Sequence, residues 1–189
     1  MTTETIREIE GRSLPITGTW EIDTSHSHIE FAVRHLMVGR TKGSFTGWSG
    51  SIKVAEKPED SSVVVEIAAA SFTTGHEQRD GHVISPDFLD VEQFPSLNFR
   101  STAISPKTDS LWSVVGDLTI LGNTKPVTLE VAFLGVAKDP WGNDKAFFEA
   151  TAEFNREDFG LTWNQALDTG GVLVGKQIKI EISLQAQQG

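Results

Sequence analysis

Gln177-Ile178-Lys179-Ile180-Glu181-Ile182-Ser183-Leu184 carries an aliphatic side chain at every second position and a polar one between them. A period of two puts alternate side chains on opposite faces of a sheet, so this segment reads as a β-strand with one apolar face. The same period recurs upstream. Ala146, Phe148, Ala150, Ala152 and Phe154 share a face, as do Val127, Leu129, Val131 and Phe133, and Trp112, Val114, Gly116, Leu118 and Ile120. Nearer the N-terminus, Val63, Val65, Ile67 and Ala69 form one face, and Ile29, Phe31, Val33 and His35 another. A short strand is expected to begin at Leu97 and Phe99, after Pro95.

Turn residues separate these runs. Lys57-Pro58-Glu59-Asp60, Ser105-Pro106-Lys107-Thr108-Asp109, Leu121-Gly122-Asn123-Thr124-Lys125-Pro126 and Asp139-Pro140-Trp141-Gly142-Asn143 are all of hairpin length. Phe45 to Val54 breaks the alternation, because Phe45 and Trp48 differ in parity and Gly43, Gly47 and Gly50 interrupt it. A bulge or sharp bend that curls the sheet accounts for that. About eight strands in hairpin order predict an all-β fold, an eight-stranded antiparallel β-barrel that removes its own edges and can enclose a ligand. A two-sheet sandwich is the alternative architecture. Alternation lapses from Thr73 to Phe94, where one or two short helices are expected, and a helical turn is expected over Glu157 to Trp163. Segments of this kind between strands suit the mouth of a cavity.

Composition narrows the chemistry. A chain of 189 residues fits one domain, with residues 1–18 as an acidic N-terminal extension and 19–189 as the barrel. The absence of cysteine removes disulfides, thiolate catalysis and sulfur-ligated metals. A formal charge of −10 opposes binding to nucleic acid. Glu4, Glu8 and Glu10 leave no apolar core for a signal peptide, and the expected location is cytoplasmic.

All five histidines fall in two polar clusters, Asp23-Thr24-Ser25-His26-Ser27-His28 running on to Arg34-His35, and His76-Glu77-Gln78-Arg79-Asp80-Gly81-His82. His26 and His28 are two apart and could share one side of a strand, but His35 has the opposite parity, so no metal is assigned. The pair His76-Glu77 lacks a second histidine one helical turn on, which excludes the zinc-protease helix. No G-x-S-x-G pentapeptide presents a nucleophile. Arg79 offers a fork of donors suited to carboxylate or phosphate, and Asp80 can hold it or cap a helix. The other reading of this cluster is an internal ion pair that pins the insertion to the barrel. Eleven Phe, five Trp and no Tyr suit a greasy interior, whether that interior is a lined tunnel or a filled core.

Taken in order, these segments resemble the YceI-like family, the polyisoprenoid-binding proteins of lipocalin-like fold. The carrying residues are Trp20-Glu21-Ile22-Asp23 through His26-Ser27 to Val33-Arg34-His35-Leu36-Met37-Val38, then Gly43-Ser44-Phe45. Ala70-Ser71-Phe72-Thr73-Thr74, Arg79-Asp80-Gly81-His82, Asp87-Phe88-Leu89-Asp90, Phe94-Pro95, Gly116-Asp117-Leu118-Thr119-Ile120 and Arg156-Glu157-Asp158-Phe159-Gly160 complete the match. The resemblance implies non-catalytic binding, storage or transport of a long isoprenoid or other lipid in the barrel, without a cofactor. It implies a homodimer and transient membrane contact as expectations. Its polar head group is expected to meet His26, His35, Arg79, Asp80 and His82, and its tail to meet Phe31, Val33, Phe99 and Phe133. An enzyme using the His/Arg/Asp cluster, or a stress-related partner-binding module with a filled barrel, are the rival readings.

Overall fold

The computed structural model describes residues 5–189. Its strands are β1 (Ile6–Ile9), β2 (Arg12–Pro15), β3 (Gly18–Ile22), β4 (His28–His35), β5 (Gly39–Phe45), β6 (Trp48–Val54), β7 (Ser62–Ala68) and β8 (Phe72–Thr73). One α-helix, α1 (Glu77–Ile84), then precedes β9 (Ser96–Pro106), β10 (Leu111–Ile120), β11 (Asn123–Lys138), β12 (Asp144–Asn155) and β13 (Val174–Gln188). β1 and β2 form a separate two-stranded hairpin.

The other strands close on themselves. β13 pairs with β12 along one edge, and along its other edge with β4 and then β3. From there the ladder runs β3–β6–β7–β9–β10–β11–β12, every pairing antiparallel. β3 with β4, β5 with β6, and β7 with β8 are each one long strand broken near its middle, which gives an eight-stranded up-and-down barrel. The expected bend in Phe45–Val54 is the break at Thr46-Gly47. It lies beside the breaks at residues 23–27 and 69–71, so three neighbouring strands crease at one height.

Hydroxyls meet the backbone groups that the creases free. Ser27 Oγ accepts from Gln185 N at 2.9 Å and donates to Gln185 O at 3.3 Å. Ser71 Oγ donates to Ala68 O at 2.7 Å and lies 3.2 Å from Gly47 O. A buried backbone group left unpaired costs about 1–3 kcal/mol, so these two serines are what the breaks require.

Two strands differ in extent from the sequence reading. β9 is 11 residues long rather than short, since Asn98 and Arg100 continue the ladder with polar side chains outward and a bulge at Thr102 carries it on to Pro106. The turn after β10 is only Leu121-Gly122, both at positive φ (51° and 70°), and Asn123 to Pro126 already belong to β11. Such a two-residue turn twists with the strands it joins. Pro126 is tolerated because β12 pairs with β11 only from Glu130 onward, leaving that edge open.

Antiparallel order puts the connections at two ends. The lower end holds the β6–β7, β9–β10 and β11–β12 connections, and the upper end the β4–β5 turn, α1 with its flanking loops, and the β12–β13 connection. At the lower end Trp20, fully buried, packs among Ile22, Ile52, Val54, Ala146, Phe148 and Ala186. At the upper end Phe88, Leu89 and Phe159 pack on Ala69, Leu97, Ile120 and Val127.

Candidate ligand cavity

Between those two clusters the barrel is hollow. A cavity of about 430 Å³ runs from Leu14 and Pro15 at the lower end to Arg79, His82 and Trp163 at the upper end. This is within the size range of small-molecule sites, which are mostly apolar with a few orienting polar groups. The inward parity set of each strand supplies the wall. Ile178, Ile180, Ile182 and Leu184 of β13, and Leu129, Val131 and Phe133 of β11, line it and are only half-buried. In a filled barrel these residues would be fully buried by one another, because interiors pack to crystal density.

Two glycines shape the wall by letting aromatic rings lie against the backbone. A Cβ on Gly116 would stand 2.3 Å from Phe99 Cζ, and one on Gly43 would stand 2.4 Å from Phe31 Cζ. Phe31 in turn stacks on Phe72 at 4.9 Å and tilts against Phe45 at 5.9 Å, so an aromatic trio backs the creased side.

At the upper end, α1 is capped by His76, whose ring accepts from Arg79 N at 3.3 Å. Arg79 Nε donates to Thr74 Oγ1 at 2.7 Å, while Asp80 accepts from Thr74 N at 2.9 Å and from Thr73 Oγ1 at 3.2 Å. Burial works to raise the Asp80 carboxyl, but the bonds from Thr74 and Thr73, with Arg79 nearby, outweigh it and hold it below the usual carboxylate range. Arg79 and Asp80 thus grip the same strand end rather than each other, and they pin α1 over the mouth. His82 Nε2 lies 2.8 Å from Asp87 Oδ2, with its ring edge-on to Trp163 at 4.6 Å and to Phe88 at 5.2 Å. His35, the last residue of β4, ends the apolar face that Ile29, Phe31 and Val33 begin, and its ring makes no hydrogen bond to the described residues.

Seven of the nine residues singled out in the sequence line this cavity, namely His35, Arg79, His82, Phe31, Val33, Phe99 and Phe133. Asp80 stands behind the wall, holding Thr73 and Thr74. His26 is apart from it, on the outer surface at the β3–β4 crease. Its ring is 65% exposed and 3.0 Å from Asp23 Oδ2, which also takes Lys145 Nζ at 3.1 Å. Hydrogen bonds from Ser25, His26 and Lys145 hold Asp23 far below the usual carboxylate range, against the opposing effect of burial. Nothing in the period of a strand distinguishes such an outer knot from a rim group.

Sequence reading placed Arg156 in the family match but gave it no part in the site. It opens a 3₁₀ turn (Arg156–Phe159), is 2% exposed, and lines the upper cavity. Its guanidinium donates to Gly175 O (2.7 Å), Leu161 O (2.5 Å), Trp163 O (3.0 Å) and Val174 O (3.3 Å). Burial pushes its pKa down, and the nearby Glu157 opposes that. One side chain therefore ties the β12–β13 connection to the start of β13, and Trp163 is held over the mouth. Among the described residues, no three His, Asp or Glu side chains stand close enough to hold a metal ion.

The match with known proteins agrees with this geometry. The YceI-like domain profile matches residues 20–186. The chain belongs to the YceI-like family. A UPF0312 protein of Pseudomonas syringae pv. tomato is 39% identical over 174 residues, covering 89% of this chain and 91% of that one. BcnA of Burkholderia cenocepacia superposes with a TM-score of 0.74 at 25% identity, over 87% of this chain and 98% of that one. A polyisoprenoid-binding domain from Saccharophagus degradans shares the fold of this YceI-like barrel, with a TM-score of 0.67 at 13% identity over 92% of this chain and all of that one. The β1–β2 hairpin lies wholly outside the matched YceI-like span.

Proposed function

We propose that the protein is a non-catalytic carrier that holds one long apolar molecule, an isoprenoid or other lipid tail, lengthwise in the barrel. The observation that carries this reading is the continuous cavity walled by the half-buried inward faces of the strands. Each methylene moved there from water contributes about 0.8 kcal/mol, so a long tail gains affinity from length alone, less the cost of ordering it. His35, Arg79 and His82 take the polar end of the ligand at the rim. Membership of the family, and a fold shared with a polyisoprenoid-binding domain, support the choice of an isoprenoid.

Loading from a membrane fits the rim as well. Leu36, Met37 and Val38 form the β4–β5 turn beside the mouth, and Val38 is 86% exposed. The carrier acts as a cytoplasmic homodimer in this reading, which cell fractionation and sedimentation test directly.

The deciding experiment is organic extraction of protein purified from lipid-rich cells, followed by mass spectrometry and by titration of the emptied protein with prenyl alcohols. A stoichiometric apolar molecule, restored on addition, is expected. Repeated preparations that carry none and bind none would end the carrier reading.

A further inference from the structure

The β1–β2 hairpin folds across the lower end of the barrel. β1 and β2 are joined by Glu10-Gly11, both at positive φ (52° and 77°), which is the backbone of a tight two-residue hairpin turn. β2 turns Leu14 and Pro15 inward. Leu14 is 8% exposed, Pro15 is fully buried, and both line the cavity.

Three attachments fasten the hairpin to different parts of the lower end. Arg7 Nη1 donates to Glu56 O at 2.8 Å and Nη2 donates to Ala55 O, just beyond β6. Arg12 Nε donates to Thr108 O at 3.4 Å in the β9–β10 turn, and its guanidinium lies 5.9 Å from the Trp112 ring centre. Ile16 O accepts from Trp20 Nε1 at 3.1 Å, which ties the exit of the hairpin to the buried tryptophan beneath it. Of the titratable side chains that line the cavity, Arg34, His35, Arg79, His82 and Arg156 stand at the upper end, and Arg7 at the lower end has its guanidinium engaged by the carbonyls of Pro15, Ala55 and Glu56, so a tail that enters tip-first at the rim travels toward Leu14 and Pro15.

We infer that this hairpin is a floor that sets the length of the ligand tail, with Leu14 as the residue the tail tip meets. This rests on the carrier reading above. A wall of aliphatic side chains discriminates poorly between tails of different length, because every added methylene that stays inside improves binding by up to about fourfold. A floor changes that. Once the tip touches it, further carbons must remain at the rim in water and the gain stops.

The test uses the full chain and straight-chain fatty acids from 10 to 24 carbons, titrated by displacement of a fluorescent apolar probe. For the unaltered protein, affinity is expected to rise with each carbon and then level off at a defined length. Leu14→Trp raises the floor and should move that break to a shorter acid by two carbons or more. Leu14→Ala lowers the floor and should move it to a longer one. The Ala variant deletes atoms without adding any, so it serves even where the Trp variant fails to fold. A break at the same length in the unaltered and Ala proteins, or rising affinity with no break at all, overturns the floor while leaving the carrier standing. Failure of the unaltered protein to bind an acid of any length, or any prenyl alcohol in the same displacement assay, overturns both.

Discussion

The two ends of the barrel are closed by different means. Below, Trp20 and the β1–β2 hairpin fill the space with apolar side chains, and Arg7 and Arg12 fasten the hairpin by donating to backbone carbonyls. Above, polar side chains reach the cavity itself, and α1, the β4–β5 turn and Trp163 frame an opening rather than a plug. Apolar packing gives the lower end its strength, and the Arg7 guanidinium there is engaged by three backbone carbonyls. The upper end has an apolar cluster of its own around Phe88, Leu89 and Phe159, but its rim is tied down by the hydrogen bonds of Arg79, Asp80 and Arg156, and elements held in that way open at lower free energy than a packed core. A molecule that must admit and release cargo gains from confining that weakness to one end.

The sharpest way to break this comparison is to empty the lower end. Trp20→Ala should cost about 3–5 kcal/mol in urea unfolding, the usual loss for a fully buried aromatic side chain. A loss under about 1 kcal/mol would mean that the lower cluster does not bear the stability assigned to it.

Next comes the anchor of the upper end. Arg156→Met keeps much of the volume but strips four carbonyls of their donor, and should cost about 2–3 kcal/mol. Hydrogen exchange should show faster opening at Trp163 and Gly175, with the amides of β3 unchanged.

Acid distinguishes the ends more gently. The Asp80 carboxyl has a depressed pKa when folded, so the unfolded chain binds the extra proton first as the pH falls. The stability it contributes is present above about pH 4 and is lost below that value. Protection factors of the α1 amides, corrected for the intrinsic pH dependence of exchange, should therefore be lower below pH 4 than at pH 6, and should fall before those of β3 do. Asp80→Asn should remove that dependence and cost no more than about 1 kcal/mol at neutral pH. Equal acid sensitivity in the variant would show that another group governs α1.

The smallest effect concerns neither end. His26→Ala should change stability by under about 0.5 kcal/mol and leave fatty-acid binding as it was, because the ring is largely exposed and outside the cavity. A loss of binding would place a functional contact on the outer wall.

Much of this was legible in the residues. Parity alone placed Ile178, Ile180, Ile182, Val131 and Phe133 on the inner wall, because each strand is long enough for the period to repeat several times. The hollow was not legible, since a filled barrel and a lined one use the same side chains. The N-terminal hairpin escaped because Ile6 and Ile9 differ in parity and each of its strands is four residues long. Glu10-Gly11 was its one signal, a residue pair near in kind to the Asp-Gly of tight hairpins. His26 and Arg156 show the opposite limits of reading polar residues. A histidine in a conspicuous cluster faces solvent, and an arginine that the sequence offered only as part of a family motif is buried against backbone.

The row of creases in β3–β4, β5–β6 and β7–β8 has a mechanical meaning. A continuous ladder can be bent only by stretching its rungs, whereas a wall interrupted at one level is jointed there, with Ser27 and Ser71 bridging to the neighbouring backbone. Three of the eight staves therefore share a common joint, and the Phe31, Phe45 and Phe72 rings sit directly behind it. Any change in the barrel's girth is therefore expected to concentrate at that joint rather than along the five staves that run unbroken, β9 to β13.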